Sequence, residues 1–142
     1  MRRLLFAAIA TVCLASLAQA QAAAKSLYER LGGQTAIVAM VDDFVGNIAK
    51  DKRINGFFAK SDPIRVKAML VDQFCAGTGG PCTYTGKDMK SAHAGRGIAG
   101  KDFSALMENL GKTLKKLKVP KQEQGEIFAI LRPMKKDIVE KK

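Results

Sequence analysis

His93 is the only histidine in the 142 residues. A single imidazole makes a cluster of zinc histidines or a Ser-His-Asp arrangement hard to build, so whatever chemistry the chain performs is expected to pass through this residue. Asp88 reads as the cap of one or two helical turns in which Met89 and His93, four apart, share a face; Gly95 and Gly97 break that helix just beyond. An imidazole at a helix end, after a glycine-rich loop and among large apolar stripes, is what a buried flat cofactor with one axial histidine requires. A histidine merely packed in a core or lying on the surface is the plain alternative.

The elements that must position His93 read as helices. Ser26-Leu27-Tyr28-Glu29 is a capping box opening a short helix that stops at Gly32-Gly33. Ile37, Met40, Val41, Phe44 and Ile48 then form a helical stripe that Val45 widens, ended by Asp51-Lys52-Arg53. Ile54 to Phe58 is a turn with two adjacent aromatics, one of them expected to point inward. Asp62-Pro63 reads as N-cap and first helical residue of a helix carrying Val66, Met69, Leu70, Gln73 and Phe74 on one face. Gly77, Gly79, Gly80 and Pro81 terminate it, and Thr78 to Lys87 is loop. Phe103, Leu106, Met107, Leu110, Leu114 and Leu117 make the strongest stripe, and Pro120 both ends that helix and can start the next. Ile127, Ile130, Leu131, Met134 and Ile138 mark the last helix, kinked at Pro133. With no strand pattern and no repeat, the expectation is an all-α domain of six or seven helices sharing one core.

Residues 1–20 carry Arg2 and Arg3, an uncharged apolar run and a closing Ala18-Gln19-Ala20, the pattern of a secretory signal peptide cleaved after Ala20. The run is short for a membrane anchor, and Cys13 lacks the small preceding residue of a lipoprotein site. The expected organisation is therefore a signal peptide, 1–20, and one exported domain, 21–142, periplasmic and without a stable membrane span. Cys75 and Cys82 are then the remaining thiols, and an oxidising compartment predicts one disulfide between them, structural rather than a redox switch because neither Cys-x-x-Cys spacing nor an acid-base neighbour is present. The net charge of +11 includes runs at Lys112 to Lys121 and at the C-terminus, which read as solvated faces. Docking to an acidic electron-donor partner or to anionic membrane lipid is their functional alternative; nucleic acid is not expected. With 47% hydrophobic residues and three cysteines, the composition excludes a disordered chain and a disulfide-dense miniprotein.

Four blocks, Ser26-Leu27-Tyr28-Glu29-Arg30-Leu31-Gly32-Gly33, Phe57-Phe58, Gly79-Gly80-Pro81 and Tyr84 to Gly95, resemble the group I truncated haemoglobins in order and separation, and the resemblance spans Ser26 to Ile138. It implies a shortened globin, a two-on-two helical sandwich around haem b, held between the second, third, fifth and last helices and the His93 segment. It makes His93 the proximal iron ligand and places Phe58, Val66, Leu70, Phe74, Met89 and Phe103 around the haem, with Lys90 and Arg96 as candidate partners for its propionates.

The departures bear on function. Family members commonly carry Tyr where this chain has Val45, often Gln where it has Leu70, and Val66 also faces the ligand; all three distal positions are apolar here. A lost donor to bound oxygen is worth roughly 1.5 to 3 kcal/mol, so oxygen should leave quickly. Gln73 is the one side chain able to restore polarity, with solvent at the helix edge its expected place, and Lys67 and Met69 are sixth-ligand candidates only if the helix slides. The implied function is reversible binding of a diatomic gas, O2, CO or NO. Haem-dependent NO oxidation or weak peroxidase activity at the same iron is the enzymatic alternative, and a haem-free basic protein the bland one.

Overall fold

The computed structural model describes residues 24–141. The signal-peptide expectation at 1–20 lies outside them. Seven α-helices are present among the described residues: α1 (Leu27–Leu31), α2 (Gly33–Lys50), α3 (Pro63–Gly77), α4 (Met89–His93), α5 (Gly100–Lys116), α6 (Lys121–Leu131) and α7 (Lys135–Ile138), with 3-10 turns at Asn55–Phe57 and Arg132–Met134. The only strand-like pairing there is an isolated bridge between Ala99 and Lys141.

Local chemistry explains the boundaries. Ser26 Oγ accepts from Glu29 N at 3.2 Å while the Glu29 carboxylate accepts from Ser26 N at 2.7 Å, the reciprocal capping of α1. Gly32, at φ 107°, turns α1 directly into α2, a left-handed corner that a side chain would strain. Asp62 caps α3 through Ile64 N at 2.9 Å with Pro63 as first helical residue, and Asp88 caps α4 through Ser91 N at 2.9 Å. Pro133 sits in the 3-10 turn that separates α6 from α7, since it cannot continue an α-helical hydrogen-bond ladder.

The long helices α2, α3 and α5 pack as the main frame. Ile37, Val41, Ile48, Leu110, Leu114 and Ile127 are almost wholly withdrawn from solvent, each contributing roughly 1.5 to 3 kcal/mol on burial. Polar cross-links fix the α2–α5 pairing. Thr113 Oγ1 donates to Asp43 at 2.9 Å, Asn47 Nδ2 donates to Thr113 at 2.9 Å, and Asn109 Nδ2 donates to Asp51 at 2.7 Å. Lys116 also pairs with Asp43, and that ammonium, with the Thr113 and Asn47 donors, holds the Asp43 carboxyl below its ordinary pKa.

The apolar interior is not one core. A second, smaller cluster forms around Ile98, Phe103 and Ile138 with Met89, Met107 and Met134 against it, and Phe57 packs on both clusters. Both turn aromatics are half-buried, where one was expected to point inward. Leu117, expected in the α5 stripe, is 38% exposed because the helix ends one residue before it.

Cys75 and Cys82 are joined by a disulfide. Closing a loop this short is worth roughly 2.5 kcal/mol on a chain-entropy estimate. Gly80 passes under the bridge, its N–H donating to Cys75 O at 2.8 Å, and a Cβ there would lie 2.6 Å from the Tyr28 ring and 2.7 Å from Cys75 Sγ. Only glycine fits that crossing.

Candidate functional site

The space between the two clusters is a cavity of about 590 Å³, walled by α2, α3, the loop ahead of α4, α4 itself, α5 and the C-terminal helices. Its volume lies in the range of small-molecule and cofactor sites, roughly 300 to 1,000 Å³. His93 is half-buried on its wall. Its Nδ1 lies 2.7 Å from the Met89 carbonyl oxygen, one helical turn back, so Nδ1–H is the donor and Nε2 is left with its lone pair free to ligate.

Two contacts fix the segment that carries His93. Arg96 Nε donates to Ala92 O at 3.1 Å and its Nη1 to Phe57 O at 3.3 Å, tying the end of α4 to the aromatic turn. Past α4, the Glu140 carboxylate accepts from Gly95 N and Gly97 N, each at 2.6 Å, and these two N–H groups hold its carboxyl below the ordinary carboxylate value of 4.5. A depressed carboxyl pKa contributes stability that is fully present above the unfolded value and is lost as the pH falls through the folded one. Glu140→Gln is therefore expected to melt below the wild type at neutral pH, with the gap narrowing below pH 4.5 and closing once the wild-type carboxyl is itself protonated; calorimetry across that interval checks it.

The loop before α4 contributes Tyr84, Gly86 and Lys87 to the wall. Tyr84 O–H donates to Lys87 O at 2.8 Å, and burial together with nearby Asp88 keeps the phenol above its ordinary pKa, so it remains a donor. No periodicity marks this loop in the sequence, which is why its residues were not foreseen as wall. Arg65 and Lys87 were missed as cations at the cavity for the same reason: an exposed cation carries no sequence signal of what it lies beside. Arg96 lies there as expected, whereas Lys90 is exposed and off the wall, pointing away because it follows Met89 by only one position on a short helix.

Of the residues expected to surround a cofactor, Phe58, Val66, Leu70, Phe74, Met89 and Phe103 all line the cavity. Val45 does not. It packs half-buried against the main core, and its neighbour Phe44 takes the wall position, edge-on to Phe74 with ring centroids 6.4 Å apart. One residue is about 100° of helix rotation, enough to exchange the two.

Gln73 also departs from expectation. It is on the wall, not at a solvent edge, and its amide N–H group donates to the thioethers of Met89 at 3.4 Å and Met134 at 3.6 Å. Lys67 is off the wall, paired with Asp42 at 2.7 Å, while Met69 is on it. Among the described residues no three His, Cys, Asp or Glu side chains converge as a metal cage. A metal held by His93 would have to bring most of its ligands with it.

The profile of the bacterial-like globin family matches residues 26–140. A group 1 truncated haemoglobin from Mycolicibacterium paratuberculosis is 34% identical over 113 residues, which is 80% of this chain and 83% of that protein. The truncated haemoglobin of Tetrahymena pyriformis, solved in its Fe(III) form, superposes with a TM-score of 0.78 at 33% identity, covering 81% of this chain and 98% of that one. The 2/2 haemoglobin of a Synechococcus species, solved in the cyanomet state and with covalently attached haem, gives a TM-score of 0.77 at 31% identity, covering 81% of this chain and 98% of that one. The likeness thus extends through every helix described above, and the chain belongs to the bacterial-like globins as a group 1 truncated haemoglobin with the all-α truncated globin fold.

Proposed function

We propose that the chain is an exported haem-b protein that reversibly binds a diatomic gas, O2, CO or NO, on the side of the iron away from His93. The observation that carries this is His93 on the wall of a large, mostly apolar cavity with Nδ1 engaged and Nε2 free. Haem fits the donor set, because the porphyrin supplies four ligands and the protein is asked for one imidazole, which is what it offers. Bound there, haem would supply an iron able to ligate a small neutral gas.

The chain's own residues do the rest. His93 holds the metal, and the Met89 carbonyl fixes its tautomer. Phe58, Phe74 and Phe103 give the macrocycle apolar contact. Arg65, Lys87 and Arg96 are the wall cations suited to its carboxylates. Val66 and Leu70 keep the gas side apolar, so a bound ligand receives no hydrogen bond from them. Non-covalent attachment is favoured by the absence of a spare nucleophile: among the described residues the one histidine is His93, and both cysteines are in the disulfide.

Export is supported by the disulfide, which persists in oxidising compartments, and by the leader-like composition of residues 1–20. No described helix is long and apolar enough to cross a membrane. The full-length gene product, recovered from the periplasmic fraction, is expected to begin at Gln21, to show a Soret band that shifts when the dithionite-reduced protein meets CO, and to lose all colour on acid extraction. A colourless protein that stays colourless after incubation with haem would overturn the reading.

A further inference from the structure

The helix that carries His93 cannot hold its own position. α4 is five residues long, too short to be stable alone, and none of its residues is fully buried. Its main packing partner among the helices is α7, and Ile138 and Val139 at the end of α7 join the smaller cluster with Ile98, Phe103 and Met89. The placement of His93 therefore depends on the chain's C-terminal segment.

Beyond α7 that segment runs as a strap over the residues that follow His93. Glu140 N and Lys141 N both donate to Ile98 O, at 2.9 and 3.1 Å, and Lys141 forms the bridge with Ala99. The Glu140 side chain reaches further back. One of its oxygens accepts from Gly95 N and the other from Gly97 N, each at 2.6 Å. Both glycines are left-handed, at φ 75° and 66°, which lets two nearby N–H groups converge on one anion. A Cβ at Gly95 would meet nothing within 4 Å, so space does not call for glycine there; the backbone turn toward Glu140 does. The clamp also needs two acceptor oxygens, one for each N–H. An amide offers one oxygen and would set its own N–H group against a backbone N–H.

We propose that Glu140 is a positioning residue for the cofactor. By clamping Gly95 and Gly97 it fixes the end of α4, and with it the direction in which His93 Nε2 faces the metal, so that haem retention is set from the C-terminal strap. This rests on the haem reading above and assigns to the strap a role beyond stability.

The test compares the full mature protein with Glu140→Gln and with Asp43→Asn, which weakens the α2–α5 pairing off the cavity wall. Haem transfer to excess apomyoglobin is expected to be about tenfold faster from Glu140→Gln than from the wild type. In the ferrous protein the iron–histidine stretching band should broaden and move to lower frequency in Glu140→Gln and stay as it is in Asp43→Asn. Apoprotein gives a reading without haem: amide hydrogen exchange at Gly95 and Gly97 is slow in the wild type and accelerates in Glu140→Gln. An unchanged iron–histidine band in Glu140→Gln, or the same shift in Asp43→Asn, overturns the positioning role and leaves a clamp that serves stability alone. Should Glu140→Gln fold poorly, exchange in the wild-type apoprotein decides: Gly95 is an exposed residue, so protection of its amide supports the clamp and free exchange overturns it. A wild type that takes up no haem, recognised by the missing Soret band, brings down both readings; a normal Soret band with an unmoved stretching band in the variant brings down this one only.

Discussion

His93→Ala is expected to leave a folded protein without haem. The ring is half-buried on the cavity wall and makes one hydrogen bond, to the carbonyl of its own helix, so removing it costs the fold little and far-UV circular dichroism should keep its helical form. Loss of the only imidazole removes the strongest protein ligand the cavity offers. Even supporting contacts to metal ligands are worth about 10- to 100-fold in metal affinity, and the ligand itself should exceed that. Titration of apoprotein with haem measures the change, and free imidazole in the buffer, sized to the space left behind, is expected to restore part of the spectrum. Undiminished haem affinity in the variant would mean that another residue carries the metal, and the assignment of His93 would fall.

Leu70→Gln is expected to slow O2 escape by about ten- to a hundredfold, equivalent to roughly 1.5 to 3 kcal/mol for a new hydrogen bond to a charged or strongly polarised partner. Leu70 and Val66 lie on the α3 face of the cavity, and neither side chain carries a donor for O2. The natural amide nearby, Gln73, is one position short of the next turn and turned toward two methionines of the smaller cluster. Stopped-flow displacement of O2 by CO gives the rate. An unchanged rate would place the gas away from Leu70 and remove the physical basis for a leaky oxygen complex.

Much of the fold was legible because helical periodicity and capping are local. The stripe of Ile37, Met40, Val41, Phe44 and Ile48 is the set that α2 buries, and Ser26, Asp62 and Asp88 cap the helices their sequences announce. The stripe of α3 was legible only as apolar. Of its members Phe74 is fully buried, whereas Val66, Met69, Leu70 and Gln73 stay half-buried, because they face a cavity and not another helix, and periodicity does not distinguish the two. Asn109 and Thr113 were invisible as core for the opposite reason: they are polar, and their burial depends on partners, Asp51 and Asp43, more than 50 residues away. His93 stood out through scarcity. The exchange of Val45 for Phe44 on the wall turned on one residue of helix phase, finer than a widened stripe resolves.

The division of the interior into two clusters bears on how the protein responds to supply. Phe57 spans the gap at one point, but across the cavity the two halves lack a common apolar filling. A ligand that fills the gap binds the folded chain and not the unfolded one, so stability becomes a function of its free concentration: about 2.7 kcal/mol at a hundred times Kd and about 4.1 at a thousand times. The melting temperature of this globin is then not a constant of the sequence but a readout of cofactor availability. In a cell short of haem, unloaded molecules would be the first to unfold and the most open to proteolysis.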